Sequence, residues 1–453
     1  MKRLSTVLSI LLLVSFAHAQ QKWERTYGGT GDDYGYSVQQ TTDGGYIVAG
    51  YNGARDVWLI KTDSSGDTLW TRTYGGTGGD YGWSLQQTSD GGYIIAGLTA
   101  SFGNGNQVYL VKTDASGDTL WTKAYGGTDS YGKSVQQTLD GGYIVAGYSR
   151  SVVGDSFQVY LVKTDSFGDT LWTRTYGGSN NDYGYSVRQT SDGGYIIAGE
   201  TDSFGAGSSD VYLIKTDASG DTLWTRTYGG TSWDRGYSVQ KTSDGGYIIT
   251  GSTVVAGHGY VWLIKTNASG DTLWTRTYGV GYGYSVRQTS DGGYIIAGFT
   301  VGVGVEDVYL IKTNATGDTL WTRTYGGTWY DYGRSVQQTS DGGYIIAGYT
   351  DSFGAGGYDV YLIKTDVNGN VGVEEEKGRG QKLEVSIKAI PNPFTSFTTV
   401  PGHSSDRFTL YDISGRRVGT YLGNRIGEGL AAGVYFLLAE KGDRKPLRIV
   451  KIQ

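Results

Sequence analysis

The chain has no cysteine, one methionine, three histidines and four prolines in 453 residues. Without cysteine there are no disulfides, zinc–thiolate sites or thiol nucleophiles, so stability must come from burial. The histidines, His18, His258 and His403, fall in the N-terminal stretch, in a variable loop and in the C-terminal region. They offer no supported Ser-His-Asp set and no metal-binding histidine cluster. Lysine and arginine number 38 against 44 aspartates and glutamates, a net charge of −6. There is no basic patch or arginine-rich helix to track phosphates, so nucleic acid is not expected as a partner.

Long apolar runs are also scarce. The one near the start, Val7 to Phe16, is too short to span a bilayer. It follows Lys2 and Arg3 and precedes Ala17-His18-Ala19, so residues 1–19 read as a secretory signal peptide cleaved after Ala19. Its removal deletes two positive charges, taking −6 to −8. No further membrane segment is present, and no transmembrane anchor is expected. All four prolines lie late, from Pro391 to Pro446, and all 12 tryptophans lie early, from Trp23 to Trp329. That shift in composition marks a domain boundary after about residue 371.

What the chain does have is repetition. SDGGYIIAG occupies residues 191–199 and recurs with small changes at 42–50, 89–97, 139–147, 243–251, 290–298 and 340–348. The tryptophans opening WTRTYGG-like stretches are Trp23, Trp70, Trp121, Trp172, Trp224, Trp274 and Trp321, spaced by 47, 51, 51, 52, 50 and 47 residues. Such a period points to a propeller or a solenoid. Each repeat reads as four short strands: SVRQT, a tight SDGG turn, YIIAGET, a loop, VYLIKTD, a second tight turn ASGD, and TLWTRTYGG. Hairpins joining consecutive strands make antiparallel sheets, which excludes a parallel β-helix and favours propeller blades. The second strand is apolar on both faces, as expected where a blade is covered on each side, and the fourth alternates as a rim strand should.

The expected architecture is therefore all-β: a seven-bladed propeller of four-stranded antiparallel blades over 20–371, a charged linker at 372–385, and a small Ig-like β-sandwich over 386–453. Trp23–Tyr27 precedes the first complete repeat, and the last repeat lacks a fourth strand. These residues are expected to close the ring beside Val360–Thr365, removing open edges. A monomer is expected.

The two hairpins barely vary between copies, whereas the other two connections do. In an up-down-up-down blade those variable connections emerge on one face, which is the expected binding face. Its candidate ligand contacts are Asp33, Tyr34, Asp80, Trp83, Asp182, Tyr183, Trp233, Asp234, Trp329, Tyr330 and Asp331, joined by Tyr36, Tyr81, Tyr185, Arg235, Tyr282, Tyr284 and Tyr332. Tyrosine and tryptophan plates beside carboxylates suit sugars. The bland alternative is that the tyrosine of DYG packs and the aspartate caps a turn. Gly35, Gly82, Gly132, Gly184, Gly236, Gly283 and Gly333, in every copy, are expected at positive φ. Asp-rich loops such as TGDDYG leave calcium open as a ligand, although they lack regular calcium-loop spacing; no other cofactor is expected. Asn267 and Asn314 match the glycosylation sequon but replace the aspartate of the ASGD-type hairpin, and read as turn residues.

The last 65 or so residues carry Pro391-Asn392-Pro393-Phe394, Tyr411-Asp412 with Ser414-Gly415-Arg416, Gly433-Val434-Tyr435-Phe436 and Ile449-Val450-Lys451. This region resembles the type A C-terminal sorting domain of the type IX secretion system, departing from it where Pro401-Gly402 interrupts an expected strand. The resemblance implies export across the outer membrane by that machinery, removal of the tail, and release or attachment to surface lipopolysaccharide. The repeats are loosely similar to kelch-like propellers, a likeness of fold that carries no substrate. Three functions stay open: a secreted or surface-displayed protein binding a glycan or another surface macromolecule, a propeller glycoside hydrolase or lyase using loop carboxylates, and a purely structural surface component.

Overall fold

The computed structural model describes residues 22–151, 155–301, 305–372, 396–399, 407–412, 416–422, 425–439 and 447–451. The chain divides into two compact units, Met1–Glu374 and Glu375–Gln453.

The first unit repeats one four-stranded antiparallel sheet. In a representative copy, Asp182–Gln189, Tyr195–Thr201, Asp210–Thr216 and Thr222–Tyr228 pair in that order. The register puts Ile197 opposite Val187 on one side and Ile214 on the other, so the apolar run YIIAG lies mid-sheet. Two successive copies share a single strand, Thr272–Gln288, which runs unbroken from the outer edge of one sheet to the inner edge of the next. The cause is length: six residues separate Tyr278 from Ser285, where nine separate Tyr228 from Ser238. Trp23–Tyr27 pairs with the last strand of the repeats, from Trp23 opposite Lys364 to Tyr27 opposite Val360. This is the pairing expected from the sequence.

Neighbouring repeats are packed face to face. Ile144, Ala146, Val159 and Leu161 of one copy form a core cluster with Val187, Tyr195, Ile197 and Tyr212 of the next. The last copy meets the first in the same way: Ile345, Ala347 and Leu362 pack with Val38, Tyr46 and Val48. Hydrogen bonds between first strands follow the same sequence. Each serine of SV accepts the valine or leucine N–H of the next copy, at 3.1–3.4 Å, from Ser37 and Leu85 round to Ser335 and Val38. The series returns to its starting copy, which makes the arrangement propeller-like.

The phrase SDGG turns out to be a charge staple, a buried lysine held by a surface aspartate, as well as a turn. Gly193 sits at φ +84°, where a side chain would be strained. Asp192 accepts hydrogen bonds from the Thr190 hydroxyl at 2.5 Å and the Gly194 N–H at 3.1 Å. Lys215, from the third strand, is 4% exposed and reaches Asp192 at 2.9 Å and the Thr216 carbonyl at 2.8 Å. Equivalent Lys–Asp pairs stand at 2.8–2.9 Å in every copy. The glycines of DYG are a correction. Their φ is not positive; they sit at a β-bulge where a Cβ would strike the preceding copy, as Gly184 would meet Gly147 O at 2.7 Å. Close approach, and not backbone handedness, demands glycine there. Asn267 behaves as the expected turn residue, its side-chain oxygen accepting the N–H groups of Ser269 and Asp271 at 2.9 Å.

In the second unit the described residues form one antiparallel sheet, in the order Arg417–Leu422, Arg407–Asp412, Gly433–Ala439, Leu447–Lys451. Phe408, Leu410, Ile426, Tyr435 and Leu437 make its core. Of the sorting-motif residues, Gly433 opens the third of these strands in the chain. The Tyr435 hydroxyl donates to Ala431 O at 2.9 Å, and Lys451 Nζ to Ser396 O at 3.0 Å. Pro391, Asn392, Pro393, Phe394 and Gly415, like Ala19 and residues 373–385 of the linker, lie outside the described residues.

Candidate functional site: an aromatic funnel

Each first strand enters through the bulge after its DYG glycine. In the register of the first copy Gly35 faces Gly50 and Ser37 faces Ala49, leaving Tyr36 as the extra residue. The bulge turns this side chain inward in every copy, and the seven that converge are Tyr36, Trp83, Lys133, Tyr185, Tyr237, Tyr284 and Arg334. They line a cavity of about 610 Å³ together with Tyr51, Tyr81, Leu98, Asn106 and Tyr131. These residues lie at the starts of first strands and the ends of second strands, beside the variable connections.

The wall is a chain of rings. Tyr185 and Tyr237 centroids are 5.5 Å apart, and Tyr237 and Tyr284 5.1 Å. Trp83 stacks near-parallel with Tyr81 at 6.1 Å. Two cations are set into it. Lys133 Nζ lies 3.2 Å from the centroid of Trp83, with Tyr148 and Tyr131 at 5.7 and 6.0 Å. Burial, reinforced by the charge of Arg334, pulls the Lys133 ammonium down to about 7. The Arg334 guanidinium lies 4.0 Å from the centroid of Tyr284 and 5.1 Å from that of Tyr349, whose hydroxyl it also engages. Both are cation–π geometries. A nearby carboxylate, Glu200, accepts from the Tyr185 hydroxyl at 2.9 Å and meets Arg235 Nε at 2.6 Å. Burial raises Glu200, against the pull of Arg235.

The structure distributes the predicted residues unevenly. Trp83 lines the funnel, as do Tyr36, Tyr81, Tyr185 and Tyr284. Tyr34 and Tyr183 pack behind it: Tyr34 lies 4.7 Å from both Tyr51 and Tyr349, and Tyr183 4.8 Å from Tyr148. Trp233 and Trp329 are 58% and 57% exposed and Tyr330 is also exposed, but these three stand on outer loops away from the funnel. The aspartates are the correction. Asp33, Asp80, Asp182, Asp234 and Asp331 are at most 5% exposed. Each carboxylate accepts the glycine N–H four residues before it, at 2.8–2.9 Å. Asp182 and Asp331 also take the hydroxyls of Ser203 and Ser352, at 2.8 and 2.7 Å. In this fold they fasten loops, their carboxylates taken up by donors of their own connections, although one oxygen each of Asp80, Asp234 and Asp331 is left without a partner. Among the described residues, no group of three or more His, Asp or Glu is placed to hold a metal ion.

Lys133, Arg334 and Tyr237 were missed by reasoning on residue type. The signal was present: the residue between the invariant DYG-type glycine and the invariant serine varies, reading Tyr, Trp, Lys or Arg. A second depression, about 620 Å³, runs beside Trp23–Tyr27, lined mainly by loop glycines and by threonines of the adjoining strands. It draws on one junction between copies, whereas the funnel gathers a variable side chain from each.

No family model matches the chain. A 113-residue stretch is 29% identical to the regulatory protein FlaEY of Caulobacter vibrioides, covering 22% of this chain and 12% of that one. Among solved structures, the chain is similar to Sqt1 from Chaetomium thermophilum, with a TM-score of 0.45 and 12% identity over 73% of this chain and 83% of that one. It is likewise similar to BamB from Moraxella catarrhalis, with a TM-score of 0.38 and 15% identity over 75% and 85%.

Proposed function

We propose that this protein is a secreted or surface-displayed, seven-bladed β-propeller that binds an acidic glycan in its axial funnel. The observation that carries the reading is the convergence of one variable side chain per repeat, five aromatic and two cationic, on one cavity. Aromatic faces stack on the apolar faces of sugar rings, tyrosine hydroxyls supply hydrogen bonds, and Lys133 and Arg334 favour a carboxylate or sulfate on the sugar. Calcium is not needed for this mode. Export by the type IX machinery, followed by release or attachment to surface lipopolysaccharide, is supported by the two chain termini as read from sequence.

Hydrolysis is the weaker reading. A glycosidase needs two carboxylates across the scissile bond, whereas no carboxylate lines the funnel among the described residues and the nearby Glu200 is already engaged by Tyr185 and Arg235. A purely structural role would leave no reason for two cations that, among the described residues, make no ion pair in an aromatic wall. A glycan array probed with the purified protein, with and without calcium, tests the proposal. Binding to uronate- or sulfate-bearing glycans that falls at least about ten-fold in Trp83→Ala is expected, in line with loss of one stacked ring and its cation contact. A blank array in both conditions, or binding indifferent to Trp83→Ala but lost in Trp329→Ala, would overturn it.

A further inference from the structure

Three residues beyond the funnel residue on each first strand stands a second inward position. Glutamine occupies it in five copies, and arginine in two, Arg188 and Arg287. These side chains line a separate cavity of about 250 Å³. In four of the glutamine copies the amide oxygen bridges to the next copy. Gln39 accepts the N–H of Gln87 at 2.8 Å, Gln86 that of Gln137 and Gln136 that of Gln189 at 2.7 Å, and Gln337 that of Gln40 at 3.3 Å. Arginine has no acceptor. At 188 and 287 this bond between copies is therefore given up, and among the described residues Gln240 does not make it either.

The arginines receive little in exchange. Arg188 Nη1 donates to Val187 O at 2.7 Å and Arg287 Nη1 to Val286 O at 3.2 Å. Among the described residues neither makes an ion pair, and no carboxylate lines the cavity. Burial brings Arg188 down to about 10, and burial together with the charge of Arg188 brings Arg287 down to about 9. Two half-buried like charges lining one cavity oppose folding unless something of opposite sign joins them. The protein carries an excess of acidic residues and places none of them here.

We propose that this cavity binds one small tetrahedral oxyanion, phosphate or sulfate, between the guanidinium groups of Arg188 and Arg287. Only Gln240 separates them in the ring of equivalent positions. Planar guanidinium forks match such an anion by paired N–H···O bonds, which a lysine would not offer. The site uses a different set of side chains from the funnel and stands whether or not the funnel binds a glycan.

The test uses the repeat's own consensus. Arg188→Gln and Arg287→Gln install the residue that five copies already carry, so folding is retained. Isothermal titration of the purified protein with inorganic phosphate, and separately with sulfate, is run at constant ionic strength in chloride. One anion should bind per chain, each single variant should weaken binding about ten-fold or more, and the double variant should abolish it. In phosphate-free buffer the double variant should melt above the parent, and added phosphate should raise the melting temperature of the parent alone. Lys133→Met should bind phosphate as the parent does. A parent that binds neither anion, glutamine variants that bind as tightly as the parent, or loss of binding in Lys133→Met would each overturn the assignment. A parent that takes sulfate and phosphate equally supports a general oxyanion site; a strong preference names the natural anion.

Discussion

Replacing Trp23 by alanine tests how the two ends of the repeat region are joined. Among the seven repeat-opening tryptophans Trp23 alone is fully buried, at 4% exposure. Its ring meets Tyr46 edge-on at 5.7 Å, and its Nε1 donates to Ser64 O at 3.1 Å. Four residues on, Tyr27 donates its hydroxyl to Gly66 O at 2.6 Å. The short strand thus pairs with the last repeat while its side chains dock on the first. Removing a buried tryptophan costs about 3–5 kcal/mol, transfer and cavity terms together. At about 2.1 cal/mol/K per residue, a domain of about 350 residues loses roughly 1.4 °C per kcal/mol, so the melting temperature should fall by roughly 4–7 °C. Calorimetry measures this directly, and Trp172→Ala, at the half-exposed equivalent inside the chain, should cost less. Deleting residues 21–28 should cost more than either, because it strips a whole edge of backbone hydrogen bonds. A deletion that melted with the parent would refute the joining of the ends through this strand.

Two further expectations concern charge. Lys133 titrates near 7 in the fold against 10.5 when free, so the folded state resists its charged form; the penalty is complete below about pH 7 and fades as pH rises to about 10.5. Lys133→Met should therefore raise the melting temperature at pH 6, raise it less at pH 9, and lose acidic-glycan binding; a gain independent of pH would contradict the burial of this ammonium among Trp83, Tyr131, Tyr148 and Arg334. The staple aspartates Asp90, Asp192, Asp244 and Asp291 are held at about 2 against the ordinary 3.8: burial works against their ionised form, but lysine, threonine and glycine donors outweigh it. Their contribution is whole above about pH 4 and is lost as pH falls towards 2, so melts at pH 5, 3 and 2 should drop steeply below about pH 4. Asp56, Asp210, Asp307 and Asp359 are shifted upward, first by burial and then by a neighbouring aspartate; they gain on mild acidification, and a melting curve that fell smoothly from pH 7 would refute the staple.

The sequence by itself determined the strands, their hairpins and the pairing of Trp23–Tyr27 with Val360–Thr365, because these are set by local periodicity and by seven aligned copies. It also placed the variable connections together, since strand alternation alone puts them on one side. It did not separate the aspartates of DYG from the residues beside them. Ligand contact and turn capping both stayed open for the aspartate, and only packing showed Asp182 turned in towards Gly178 and Ser203 while Tyr185 turned to the funnel. Nor could it tell that the glycines of DYG answer to a neighbour's carbonyl, or that Lys215 of VYLIK closes the SDGG turn, because those contacts join segments that are distant in the chain. The axial pairings were decided only in three dimensions. Arg188 and Arg287 lie 99 positions apart in sequence, and they line one cavity because the repeats bring equivalent positions together.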